Sequence, residues 1–180
     1  LHAQAALTGL TISPDESILM VVPLFHVLAW GTPYFAPMFG LKLVMPGMQM
    51  EGEPLYDLIE KEEVTLAFGV PTVWMGLLSY CRDNNKILNS VKNTVIGGSA
   101  LSLAILKEFD EVHDVNVIQG WGMTEMSPLG TSNFLTEEMK KMSKEDRYAV
   151  QLKQGRPMYG IELKVVDDSG NELPKDGESQ

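Results

Sequence analysis

The sequence predicts an α/β protein with a mostly parallel sheet flanked by helices, and three observations carry that reading. Short β-branched runs alternate with stretches of helical spacing from Ser17 to Ile118, the β-α-β order of a parallel sheet. The runs read as strands buried beneath helices on both faces. Proline and glycine punctuate the pattern where strands should stop, at Pro23, Pro46-Gly47 and Gly97-Gly98.

Taken in order, Ser17–Val22 is a buried strand ending at Pro23, followed by an apolar, aromatic segment from Phe25 to Phe39. Lys42–Met45 is a second short strand. Leu55, Leu58 and Ile59 give Glu53–Glu62 a helical spacing with charge on the other face. Val64–Phe68 returns to strand, and Pro71 opens a helix through Val73, Trp74, Leu77 and Leu78, because proline at a first helical position costs no hydrogen bond. Thr94–Ile96 runs into Gly97-Gly98-Ser99; a helix over Leu103–Glu111 and a strand over Val115–Ile118 follow. Beyond Gly130, Thr136–Arg147 reads as a charged surface helix and Ile161–Val166 as a strand. That strand leads to a turn at Asp168–Asn171, and Pro174–Gln180 is loop-like.

A chain of 180 residues, 44% hydrophobic and 21% charged, is long enough to bury a full core and has no disordered character. Its formal charge of -10 argues against a nucleic-acid surface, which needs clustered Lys and Arg to displace counterions. It leaves room for a nucleotide held by backbone N–H groups, a hydroxyl and a magnesium ion. The single cysteine, Cys81, cannot form an internal disulfide and fits a reducing compartment, with the cytoplasm as default location. It reads as a half-buried helix residue. No apolar run approaches a membrane span, since Val27–Leu43 is broken by Gly31, Pro33, Pro37, Gly40 and Lys42. The first residue is Leu, and a piece of a longer protein is expected.

Ligands collect at the carboxyl ends of strands in such sheets. Three runs sit there: Pro23–Trp30, Gly97–Ala100 and Gln119–Glu125. In the last, Gly120 and Gly122 bracket Trp121, a flat ring suited to stacking on a purine. Thr124 offers a hydroxyl, and Glu125 a hard carboxylate of the kind Mg2+ accepts beside phosphate oxygens. The same run also describes a glycine-rich turn with a core tryptophan and a solvated glutamate, and by itself does not separate the two. Gly97-Gly98-Ser99 permits close approach of a ligand to backbone, with Ser99 able to cap the next helix, or is simply a tight turn. His26 and Trp30 stand at i and i+4 and share a face if that stretch is helical. A polar ring above an apolar slot suits a carboxylate with a hydrophobic tail. His2 and His113 read as structural. No H-E-x-x-H, C-x-x-C or G-x-S-x-G run is present, and Met38, Met45, Met48 and Met50 read as adaptable packing.

Together, Pro23-Leu24-Phe25-His26, Gly97-Gly98-Ser99-Ala100, Gln119-Gly120-Trp121-Gly122-Met123-Thr124-Glu125, Gly155-Arg156-Pro157 and Gly177-Glu178 resemble, in order, the adenylate-forming superfamily of acyl-CoA synthetases, luciferases and adenylation domains. The resemblance covers nearly the whole chain. It is nearest to medium- and long-chain fatty acyl-CoA synthetases and methylmercaptopropionate-CoA ligases, through His26–Gly31 and Trp121–Pro128.

The resemblance implies that residues 1–180 are part of the large N-terminal domain of an adenylate-forming enzyme. It implies Trp121 against adenine, and Gly98, Ser99, Gln119 and Gly120 lining the adenylate. Thr124 would sit on phosphate and Glu125 on magnesium. His26 would lie near the reacting carboxylate, with Val27, Trp30 and Gly98 beside the acyl group and Trp30 as a tunnel gate. Many members carry Tyr at the position of Trp121, so stacking is kept and a hydroxyl contact is not. The implied substrates are a small-molecule carboxylate, ATP and coenzyme A, with Mg2+; relatives are often homodimers. The implied reaction forms acyl-AMP and pyrophosphate, then a CoA thioester. A phosphate loop ending in Lys is expected upstream, and a ribose-binding Asp and a C-terminal domain with a catalytic Lys downstream. The 180 residues alone are therefore expected to be inactive. The alternatives are a methylmercaptopropionate or other short-acid ligase, a non-catalytic nucleotide-binding homologue, and a structural module without ligand.

Overall fold

A computed structural model describes residues 1–10 and 12–174 of the chain. The Gly177-Glu178 pair lies outside them. The strands are β1 (Ser17–Met20), β2 (Lys42–Val44), β3 (Leu66–Gly69), β4 (Asn93–Ile96), β5 (Asn116–Gly122), β6 (Leu129–Asn133) and β7 (Arg156–Pro157). They form one sheet in the order β2-β1-β3-β4-β5-β6-β7. The first five pair in parallel, while β6 and β7 add antiparallel. The mostly parallel sheet is thus as expected.

The helices are α1 (His2–Gly9), α2 (Val27–Trp30), α3 (Thr32–Phe39), α4 (Gly52–Lys61), α5 (Pro71–Asp83), α6 (Leu103–Val112) and α7 (Lys144–Gln151). Because side chains alternate along a strand, each strand feeds both faces of the sheet. Leu19, Ala67, Ile96 and Val117 point into a core with Leu55 and Ile59 of α4, Trp74 and Leu77 of α5, and Leu106 and Phe109 of α6. Ile18, Phe68, Val95 and Ile118 point the other way, against Ala6 and Leu7 of α1 and Phe35 and Ala36 of α3. Trp74 meets Phe109 edge-on, with centroids 6.1 Å apart. Cys81 is only 1% exposed, deeper than the half-buried position expected, and burial first, then Glu108 and Glu60, push its thiol up to about 11.

Three local expectations differ. Thr136–Arg147 is two pieces, a 3-10 turn at Met139–Lys141 and α7, because Ser143 interrupts the run to cap α7 through its Oγ on the Asp146 N–H. Ile161–Val166 is irregular apart from a bridge between Val166 and Glu172; the Asp167 carboxylate closes the turn on the N–H groups of Ser169 and Asn171. Met38, Met45 and Met48 are exposed, and only Met50 packs on the core.

Helix α7 is fastened to α6 by charge. Arg147 grips both oxygens of Asp110 at 2.8 and 2.9 Å, Tyr148 donates to the same carboxylate at 2.5 Å, and Lys144 stands 3.2 Å away. Burial works to raise the Asp110 pKa, but the hydrogen bonds from Tyr148 and Lys144 and the charges of Arg147 and Lys144 outweigh it and hold it below the usual carboxylate value. A lowered acid contributes stability that is present above its unfolded pKa and lost as pH falls through its folded value. Asp110→Ala should therefore cost about 2–3 kcal/mol at neutral pH, as expected for hydrogen bonds to a charged group. In urea unfolding the gap to the parent should close below a pH of about 4; a gap that stays constant with pH would show that the charge is not what holds α7.

Candidate functional site

Strand β1 ends in a turn whose hand is reversed. Val27, Leu28, Ala29 and Trp30 have φ of 46, 48, 49 and 56°, and Gly31 closes the turn at φ 81°. The helical spacing of His26 and Trp30 was expected, but α2 is left-handed. Each non-glycine residue there costs roughly 1–2 kcal/mol. The turn is held from within: Ala29 is fully buried, and its carbonyl accepts from the Thr32 hydroxyl at 2.9 Å. Strain of this kind concentrates at functional sites. Leu28 is half exposed, so Leu28→Gly should stabilise the fold by about 1 kcal/mol; a lower melting temperature would contradict the strain.

The turn leans over a cavity of about 310 Å³ at the carboxyl ends of β3, β4 and β5. Ala6 and Leu10 form one wall, Phe68 and Val95 the sheet floor, and Pro128 and Leu129 the far side. Gly97, Gly98, Gly120 and Gly122 leave the backbone bare along it. A Cβ on Gly97 would stand 2.9 Å from the Gly120 carbonyl oxygen and 3.3 Å from the Trp30 ring, so strand ends and indole meet there. The rim is polar, carrying His26, Thr124 and Glu125.

Thr124 and Glu125 project from a 3-10 turn, Thr124–Met126, between β5 and β6. The register shifts between Trp121 and Gly122, and the Met123 N–H bonds the Pro128 carbonyl at 2.9 Å. Gly122 has to be glycine, because a Cβ would overlap that same carbonyl oxygen. Glu125 is exposed, and the described residues contain no cluster of three or more His, Cys, Asp or Glu able to hold a metal. One carboxylate beside a hydroxyl nonetheless fits Mg2+, which is usually held by one or two carboxylates together with substrate phosphates.

Of the residues singled out in the sequence, His26, Val27, Trp30, Gly98, Gly120, Thr124 and Glu125 line this cavity together. Ser99, Gln119 and Trp121 do not. Ser99 is exposed beyond β4, and the cap of α6 is Ser102, whose Oγ accepts from the Ile105 N–H. Gln119 and Trp121 alternate with Gly120 and so share the Val117 face of β5. Gln119 is 2% exposed, and its Oε1 has no hydrogen-bond partner. The Trp121 ring is half-buried over Gly130, where a Cβ would come within 2.9 Å of it. The wall residues Ala6, Leu10, Phe68, Val95 and Leu129 carry no motif, and only their apolar character hinted at them.

The two remaining histidines have structural partners. His113 Nδ1 accepts from the Leu88 N–H at 3.3 Å, and His2 Nε2 accepts from the Leu129 N–H at 3.1 Å.

A mostly parallel sheet with a glycine-edged apolar cavity and a polar rim at its carboxyl edge is an arrangement in which α/β proteins bind small ligands with polar and apolar parts. The chain belongs to the AMP-binding enzyme family, which it matches over residues 1–179. It is 46% identical over 171 residues, 95% of its length, to a medium-chain-fatty-acid–CoA ligase of Ectopseudomonas oleovorans. It is 44% identical over 182 aligned positions, 100% of its length, to a 3-methylmercaptopropionyl-CoA ligase of Ruegeria lacuscaerulensis. The chain spans about a third of those relatives, 31% and 34%. Among solved structures, a long-chain-fatty-acid-CoA ligase of Archaeoglobus fulgidus superposes with TM-score 0.77 at 27% identity, over 96% of this chain and 34% of that one.

Proposed function

We propose that this chain is the part of an AMP-forming acyl-CoA ligase that holds the acyl group, the adenine and the magnesium ion, and that the acid is a medium- to long-chain fatty acid. The observation that carries the reading is the division of β5. One face opens through Gly120 and Gly122 on an apolar cavity; the other carries the half-buried Trp121 and the buried, unpartnered Gln119 Oε1. A buried acceptor without a donor costs about 1–3 kcal/mol unless a ligand supplies one. An exocyclic amine of adenine, stacked on Trp121, is such a donor. Ser99, exposed beyond β4, lies beside that nucleotide.

His26, Thr124 and Glu125 ring the cavity mouth, where a carboxylate entering tail-first leaves its head. His26 orients that carboxylate, with Val27, Trp30 and Gly98 against the first part of the chain. Thr124 donates to a phosphate oxygen. Glu125 would hold Mg2+, which when bound would supply charge neutralisation at the reacting phosphate. The protein's own contribution is position, aligning carboxylate and α-phosphorus, and exclusion of water by the Trp30 turn. Coenzyme A is the acceptor of the acyl group in the second half-reaction.

A short-acid reading, methylmercaptopropionate included, is kept because of the Ruegeria relative at 44% identity. The lone buried thiol fits a cytoplasmic location, and no helix among the described residues is long and apolar enough to cross a membrane. The test is pyrophosphate release by the full-length enzyme across carboxylates from acetate to palmitate, with methylmercaptopropionate in the series. Release peaking among medium- or long-chain acids, from about C6 to palmitate, supports the reading. A peak at methylmercaptopropionate selects the short-acid alternative, and ATP binding without release from any acid identifies a non-catalytic homologue. Gel filtration of the same protein tests for a homodimer.

A further inference from the structure

Three of the pieces of chain that line the apolar cavity are joined by one side chain, which belongs to the first and touches the other two. Helix α1 supplies Ala6 and, just past its end, Leu10; β6 supplies Leu129; the left-handed turn α2 supplies Trp30. His2 stands one and two helical repeats before Ala6 and Leu10 on the same face of α1. Its Nε2 accepts from the Leu129 N–H at 3.1 Å. Leu129 lies opposite Gly122, beyond the register shift of the β5–β6 pair, and the imidazole takes up its N–H there. The same ring lies against Gly31, where a Cβ would be 3.4 Å from Nδ1 and 3.5 Å from Cε1.

We propose that His2 is a positioning residue that sets the width of the acyl cavity by locking α1, β6 and the Trp30 turn to one another. This rests on the cavity being the acyl site. The opposite end of α1 is tied independently, since the Ser132 hydroxyl donates to the Gly9 carbonyl at 3.0 Å. His2 therefore governs the end nearest the Trp30 turn. An acceptor at Nε2 requires the neutral ring with its proton on Nδ1. Burial lowers the His2 pKa in the direction that keeps it neutral. Packing and acceptance are separable: Phe keeps a flat ring and loses the acceptor, whereas Gln places an amide oxygen near the position of Nε2.

The experiment measures carboxylate and ATP KM, kcat and the acid chain-length profile of full-length wild type, His2→Phe and His2→Gln. His2→Phe is expected to raise the KM for octanoate about fivefold, the effect of one net hydrogen bond, and to broaden the profile. The ATP KM should stay unchanged, and His2→Gln should restore the parent octanoate KM and profile. The proposal is overturned if His2→Phe keeps the parent octanoate KM, if both variants lose equally, if ATP and octanoate KM rise together, or if His2→Phe does not fold. A wild-type enzyme inactive on every acid instead refutes the ligase reading and takes this inference with it. An active wild type with an indifferent His2 refutes this inference alone.

Discussion

Glu125→Gln is expected to lower pyrophosphate release by the full-length enzyme about 10²–10³-fold, the scale of losing one preorganised electrostatic group. The side chain is exposed on a three-residue 3-10 turn, so the swap removes a charge without disturbing any buried contact. Folding should be unaffected, and thermal unfolding should match the parent. Among the described residues Glu125 belongs to no cluster of three or more His, Cys, Asp or Glu able to hold a metal, so its charge is not one of several in a preformed protein cage. The variant should accordingly need more Mg2+ for half-maximal rate. Full activity at the parent's Mg2+ requirement would remove Glu125 from the metal site and leave Thr124 as the functional residue of the turn.

Gly122→Ala acts one step earlier, on the backbone that aims that turn. The added methyl would overlap the Pro128 carbonyl oxygen and lie 2.7 Å from its carbon and 3.0 Å from the Leu129 Cα. None of these atoms belongs to a flexible side chain. The Pro128 carbonyl is also the acceptor for the Met123 N–H, so it cannot retreat without breaking that bond. The expected cost is about 3 kcal/mol, at the upper end of overpacking effects. For a chain of this size that is a fall of roughly 10 °C in melting temperature. Activity should drop as well, because Thr124 and Glu125 ride on the displaced segment. An unchanged melting temperature would mean that β5 and β6 separate more easily than their register suggests.

The parallel half of the sheet was legible because its signal is local and repeated. Each strand from Ser17 to Ile118 is an apolar run ending in proline, glycine or a polar turn, and each lies within a few residues of where the pattern puts it. The antiparallel edge was not. β6 spells Leu-Gly-Thr-Ser-Asn and β7 only Arg-Pro, and neither carries the apolar or β-branched content that marks a strand. Their order comes from side-chain ties to distant segments, as when Asn133 donates to the carbonyls of Val150 and Lys153 at 2.5 and 2.7 Å. The candidate site divides similarly. Glycines and polar residues at strand ends were visible as motifs, and seven of them line one cavity. The hand of α2 was invisible, because Val-Leu-Ala-Trp has no glycine until Gly31 and nothing local prefers positive φ. His2 read as a histidine without partners because its partner, Leu129, is far along the chain.

The two-sided character of β5 has an evolutionary consequence. If the Gly120 face holds the acid and the Trp121 face the nucleotide, substitutions at Phe68, Val95 and Leu129 can drift from one acid to another while Gln119 and Trp121 stay under unbroken selection for ATP. Neighbouring positions of one strand would then belong to two independent histories. Relatives named for a fatty acid and for a sulfur-containing propionate, at 46% and 44% identity to the same chain, are what such a division would leave behind.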